Sequence, residues 1–219
     1  VEEADIVFYN GHGLEPWIRH LKAMASDRLT LVALAEIADY PTLTLQQGQY
    51  EGSPDPHMWM APQGAAAYID VITHTLSARF PERADAFRTR AEEAKDALSL
   101  LDQQVIERLE GIPHTNRLIT MSEAALSYFA HAYGFEFAAI WGLNSETMGS
   151  ADAMAAMSKR LADKRPPALF YESTTPYIHM DALARETGLT LAGPLYVDTL
   201  SEPDGPAYNY PAMLRYNAE

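Results

Sequence analysis

The chain has 219 residues, enough for one large domain or two small ones, and enough to bury a core without covalent staples. It contains no cysteine, which excludes disulfides, thiolate zinc sites, iron–sulfur clusters and a cysteine nucleophile. Its 16 basic and 30 acidic residues give a net charge of −14, a surface that repels phosphate backbones and argues against nucleic acid as a partner.

No apolar run approaches about 18 residues, so no segment reads as a membrane span. The opening Val1-Glu2-Glu3-Ala4 has no initiator Met and no signal peptide, so the expectation is a processed chain or a piece of a longer one. Asp5-Ile6-Val7-Phe8-Tyr9 reads as a buried strand that Asn10-Gly11 stops. Residues 15–24 read as a helix with Leu14, Trp17, Ile18 and Leu21 on one face. Residues 29–34 suggest a second strand. Residues 41–56, with Gly48, Gly52, Pro54 and Pro56, predict an irregular loop with short strands, and 62–77 resume helical spacing. Across 80–110 the apolar positions Phe80, Ala84, Phe87, Ala91, Ala94, Leu98, Leu101, Val105 and Leu109 recur every three or four residues. This predicts one long helix packed along a globular body, ended by Gly111 and Pro113. Beyond it strands are expected over 117–121, 135–141, 168–171 and 190–197. Helices are expected over 123–133, 150–164 (capped by Ser150) and 178–186. Alternation of this kind implies an α/β fold with parallel strands and helices on both faces.

Ligands of open α/β sheets bind at the carboxyl ends of the strands. Those ends carry Ser122-Glu123, Trp141 through Asn144, Glu172-Ser173 and Asp198. One carboxylate there often caps a helix. Several at one edge crowd only when a cation neutralises them. Among seven histidines, His57 stands out because Asp55-Pro56-His57-Met58-Trp59 holds it in a rigid turn before a helix. From spacing alone it reads either as a packed imidazole or as a ligand.

Five segments in order resemble the metal-specific solute-binding proteins of bacterial ABC importers. They are Ala4-Asp5 through Tyr9-Asn10-Gly11 with Leu14-Glu15; Asp55-Pro56-His57-Met58-Trp59; Thr120-Met121-Ser122-Glu123 with Tyr128-Phe129 and Tyr133-Gly134; Glu172-Ser173-Thr174; and Tyr196-Val197-Asp198-Thr199-Leu200-Ser201 with Asp204-Gly205-Pro206. The resemblance implies two α/β lobes with parallel sheets joined by one long rigid helix: residues 1–79, the helix over 80–110, and residues 111–219. It implies a binding protein rather than an enzyme, periplasmic or anchored outside the membrane, monomeric, and serving an importer permease. It implies His57, Glu123 and Asp198 as metal ligands. A further ligand histidine and at least one strand of the first lobe lie upstream of Val1 in that family, and a last helix follows near Tyr216-Asn217. Glu172 and Asn144 are placed to orient the ligands, and Trp59, Trp141 and Tyr196 to shield them.

One imidazole with two carboxylates suits Mn(II), Fe(II) and Zn(II). The similar manganese and iron binders carry Glu at the position of Glu123, whereas many zinc binders carry His there and have a His-rich loop before the Asp-Pro-His motif. Residues 41–54 contain no histidine. Mn(II) or Fe(II) is therefore expected ahead of Zn(II). The competing expectations are a metal-dependent hydrolase using the same three side chains, and an interaction module that binds no metal.

Overall fold

A computed structural model describes residues 4–24, 28–143 and 150–219. The first lobe opens with β1, Ile6–Tyr9, followed by α1, Ile18–Met24, and β2, Thr30–Ala33. The two strands pair in parallel, Ile6 opposite Thr30 and Tyr9 opposite Ala33. The expected helix over 15–24 begins only at Ile18, so Trp17 lies ahead of it and is 55% exposed instead of facing the core. Strand β2 stops short of Leu34, because Leu34 opens the one-turn helix α2, Leu34–Ile37.

The turn-rich stretch folds as a short hairpin. Thr44 bridges Pro54 in antiparallel fashion, Leu45 N donates to Ser53 O at 2.9 Å, and Asp55 N donates to Leu43 O at 2.8 Å. Met58–Met60 then make a single 3-10 turn, which leads into α3, Pro62–Arg79. Proline at the first helical position costs nothing, since that N–H has no intrahelical partner.

The long helix is α4, Ala84–Glu110, whose 27 residues span about 40 Å. It starts later than the expected Phe80, because Pro81 lacks an N–H and pushes the preceding residue out of the helical region. Phe80 accordingly has φ −131° and ψ 69°, and Pro81–Arg83 form a separate 3-10 turn. Ala84, Ala91, Leu98, Leu101, Val105 and Leu109 are buried, which is the stripe that the spacing predicts.

The second lobe comprises β3, Leu118–Glu123; α5, Ser127–Tyr133; β4, Glu136–Trp141; α6, Ala151–Lys164; β5, Ala168–Glu172; α7, Ile178–Thr187; β6, Thr190–Leu195; and α8, Tyr210–Asn217. β3 pairs with β4 and β5 with β6, both in parallel, and β3 lies beside β5. Every residue of β3 is buried, because both faces are covered. On one face Ile119 and Met121 join α4, α5 and α8 in a core that also takes in Met58, Met60 and Ala61 of the first lobe. On the other, Leu118, Ile140 and Leu169 pack with Met157 and Leu161 of α6 and Met180 and Leu183 of α7.

Two boundaries differ from the expectation. Glu123 ends a strand rather than opening a helix, and α5 begins at Ser127. Helix α8 occupies a stretch to which the sequence reading gave no element. Asn209 caps it by accepting from Ala212 N at 2.9 Å, and a proline sits in its first turn. The predicted cap of α6 is present, Ser150 Oγ accepting from Ala153 N at 3.1 Å.

Arg117 fastens α4 and α5 to β3. Its guanidinium donates to Leu109 O, Ile112 O and Tyr133 O at 3.1, 3.0 and 2.9 Å, and it lies over the Phe135 ring. Leu109 and Tyr133 lie in the last turns of α4 and α5, and Ile112 lies just beyond α4. Arg117→Ala is expected to lower stability by roughly 2–3 kcal/mol in urea denaturation, with lysine restoring only part, because an ammonium cannot reproduce the planar fork.

Candidate metal centre

His57 sits at the end of the hairpin, where Asp55 fixes it. Asp55 Oδ1 accepts from both His57 N, at 2.9 Å, and His57 Nδ1, at 2.7 Å. Both side chains are 0% exposed. With its proton committed on Nδ1, the ring presents Nε2 as a lone-pair donor. That Nε2 is buried and has no hydrogen-bond partner among the described residues. It faces Asp198 Oδ1 at 3.7 Å.

The motif around Asn10 and Glu15 explains why the turn stays in place. Glu15 accepts from the amides of Asn10 and Gly11 at 2.7 and 3.0 Å, which orders the loop after β1. Asn10 Nδ2 then donates to Pro56 O at 2.9 Å, and Tyr68 OH from α3 donates to Asn10 Oδ1 at 2.6 Å. Gly64 of α3 lies under the same turn. A Cβ built there would come within 3.0 Å of Met58 Cγ and closer still to the Met58 carbonyl oxygen, which is backbone. Gly64→Ala is expected to cost roughly 2–3 kcal/mol in stability and to displace His57, a change that calorimetry and metal titration both report.

Glu123 ends β3 and Asp198 follows β6, so both carboxylates stand at the carboxyl edges of strands. Glu123 is 9% exposed, and the Asp198 side chain is 33% exposed. One ligand atom from each of His57, Glu123 and Asp198 falls within 4.8 Å of the others, the one such group of three found among the described residues. Two atoms bonded to one ion at about 2 Å each lie at most about 4 Å apart. At tetrahedral or octahedral angles such atoms lie about 3 Å apart, so the His57–Asp198 pair at 3.7 Å and the full set need roughly 1–2 Å of closure on an ion.

The electrostatics of the cluster favour a positive charge at this point. Burial pulls the His57 imidazole down, but its hydrogen bond to Asp55 and the charges of Asp55, Asp198 and Glu123 carry it above its usual value of 6.5. Burial raises the Asp198 carboxyl, against the lowering effect of His57. Glu172, also buried, is pushed up to about 7, chiefly by desolvation and against the lowering effect of the Glu123 amide. A cation among these groups relieves each penalty at once.

The other residues singled out from the sequence divide. Glu172 orients Glu123: its Oε1 accepts from Glu123 N at 2.9 Å and Ser122 Oγ at 3.0 Å, and its Oε2 accepts from Thr175 Oγ1 at 3.0 Å. Trp141 Nε1 donates to Glu123 Oε2 at 3.4 Å. Trp59 lies against the His57 ring, with 5.2 Å between centroids, and its indole N–H donates to Val197 O at 3.3 Å, beside Asp198. Tyr196 is turned away, its ring against Tyr216 and its backbone held by Asn217. Asn144 lies outside the described residues. Asp55 was missed as a functional residue, although its place two residues before His57 was the available signal. Asp55→Asn keeps an oxygen acceptor but loses the charge, and is expected to weaken metal affinity about 10- to 100-fold in a competition titration.

Similar proteins match over the whole length of the chain. The family model described as zinc-uptake complex component A, periplasmic, matches residues 1–219. The iron-binding protein YfeA of Yersinia pestis is 31% identical over 218 residues, which is 100% of this chain and 69% of that protein. The manganese-binding lipoprotein MntA of Halalkalibacterium halodurans is 30% identical over 219 residues, covering 100% of this chain and 71% of that protein. The manganese-bound structure of a mutant periplasmic metal-binding protein from Candidatus Liberibacter asiaticus superposes with a TM-score of 0.90 at 27% identity, covering 99% of this chain and 79% of that one. The chain, with its two α/β lobes, belongs to the periplasmic zinc-uptake complex component A family.

Proposed function

We propose that the protein captures a divalent transition metal outside the cytoplasm and hands it to an ABC-type importer in the membrane, with His57, Glu123 and Asp198 as ligands. The ion is cargo, and no bond is made or broken in it. The division follows: 1–79 as the first lobe, 80–110 as the connecting segment, whose helix runs Ala84–Glu110, and 111–219 as the second lobe, the protein acting as a monomer. The single observation that carries this reading is the buried, unpartnered Nε2 of His57, 3.7 Å from Asp198 and grouped with Glu123. Asp55 supplies the correct imidazole tautomer, and Glu172 and Trp141 hold the Glu123 carboxylate. The family match sets aside the hydrolase reading and the bare interaction module, since relatives are named as metal-binding components of importers.

Mn(II) or Fe(II) is favoured over Zn(II) as physiological cargo. Two carboxylates to one imidazole make a hard ligand set, and relatives named for iron and manganese align over the whole chain. Zinc nevertheless binds such a set tightly, so supply and geometry decide. Competition between Mn(II) and Zn(II) tests the assignment. Wild type is expected to bind both, and Glu123→His to shift the preference toward Zn(II) by about tenfold. An unshifted ratio contradicts Glu123 as a ligand.

A further inference from the structure

The hairpin that precedes His57 belongs to the first lobe by chain order, yet it is packed into the second. Leu45, 1% exposed, forms a buried cluster with Ala124, Ala139 and Leu143. Ala124 directly follows Glu123. At the base of the hairpin the Tyr128 hydroxyl, from α5, accepts from Leu43 N at 3.0 Å and donates to Asp55 O at 3.3 Å. It thus grips both legs, one of them two residues before His57. Toward the tip, backbone meets backbone. A Cβ on Gly48 would lie 2.8 Å from Gly142 N, and one on Gly142 would lie 2.7 Å from Gln47 O. Gly142 in turn accepts from Ala124 N through its carbonyl at 3.1 Å.

We propose that hairpin 43–55 is a clasp between the lobes, and that Leu45 and Tyr128 are positioning residues that retain the metal by holding His57 against Glu123. This rests on the reading of His57, Glu123 and Asp198 as ligands. For the ion to leave, the imidazole must separate from at least one carboxylate. The chain that carries the imidazole is bonded and packed to residues adjoining Glu123, so separation strips Leu45 from its pocket and breaks the two Tyr128 hydrogen bonds. The clasp therefore opposes release more than capture, because its contacts are lost only when the site opens. Neither residue touches the ion.

Release of Mn(II) from the loaded protein to excess chelator, followed by stopped flow, tests this. Tyr128→Phe keeps the buried ring and removes only the hydroxyl. Leu45→Val trims the apolar contact while keeping the site apolar, and Leu45→Ala empties it. Tyr128→Phe and Leu45→Ala are expected to speed release about tenfold with association changed little, and Leu45→Val to fall between. Leu183→Ala is the control. It empties a comparable buried position in the α6–α7 core of the second lobe and lowers the melting temperature, but is expected to leave release within roughly twofold. Release unchanged in both Tyr128→Phe and Leu45→Ala overturns the clasp while leaving the ligands standing. Equal acceleration by Leu183→Ala also overturns it, as general loosening. A wild-type protein that takes up no Mn(II) overturns the ligand assignment itself, and the clasp with it.

Discussion

His57→Ala is expected to reduce Mn(II) affinity about a thousandfold, or about 4 kcal/mol, in isothermal titration. The variant removes the nitrogen donor of the group and leaves Glu123 and Asp198 to hold the ion without it. It also harms the apo protein. Asp55 is 0% exposed and loses its side-chain partner, keeping only the backbone amide at position 57. Removing one member of a buried pair costs roughly 3 kcal/mol. Asp198→Ala separates the two effects. Its side chain is one-third exposed and faces the Nε2 of His57 at 3.7 Å. Metal affinity is expected to fall about as far, while the apo protein loses less than about 1 kcal/mol in urea denaturation. A ligand and a structural residue respond differently to this pair of measurements. Retained binding in both variants contradicts the assignment.

Metal affinity and apo stability are expected to move in opposite directions with pH. Protons compete with the metal for the His57 imidazole, whose folded pKa lies above the ordinary 6.5. Affinity therefore begins to fall above pH 6.5 as the solution is acidified. It drops roughly tenfold to a hundredfold between about pH 7.5 and about pH 5.5. Apo stability has the reverse sign. A histidine raised on folding contributes its full stabilisation below the unfolded value and loses it as pH rises through the folded one. Glu172, raised to about 7, and Asp198, also raised, lose stabilisation in the same direction as they ionise. The apo melting temperature should decline as pH rises through neutrality, and Mn(II) should restore it most strongly at the alkaline end. A pH-independent affinity contradicts His57 as a ligand.

The parts of the fold readable from sequence were those with a period. The α4 stripe is an example, because a helix over 27 residues repeats its buried face many times and a single misplaced residue hardly matters. The strand–helix alternation of the second lobe was legible for the same reason, and Ser150 announced its own helix. Helix α8 escaped because eight residues give barely two turns, too few to display a period. Its real markers were local, the Asn209 cap and the following proline. Trp17 was misplaced because the helix begins at Ile18, so Trp17 lies ahead of it and outside its periodic face.

The candidate site was legible where strand ends and motifs coincide, as at Glu123 and Asp198. It was illegible where a role depends on convergence of distant segments. Nothing local to Glu172 says that its carboxylate receives the amide of Glu123, 49 residues away in sequence. Nothing local to Leu43 or Leu45 says that they meet Tyr128 and Ala124 across the cleft. Tyr196 looked equivalent to Trp59 as a shield, yet it follows β6 on the side that packs α8, so its ring meets Tyr216.

Anomalous diffraction at the manganese edge from crystals grown with Mn(II) gives the most direct test. One ion is predicted in the cleft, bonded at about 2 Å to His57 Nε2 and to carboxylate oxygens of Glu123 and Asp198. An ion bound elsewhere, or one in the cleft that leaves His57 Nε2 unbonded, contradicts it.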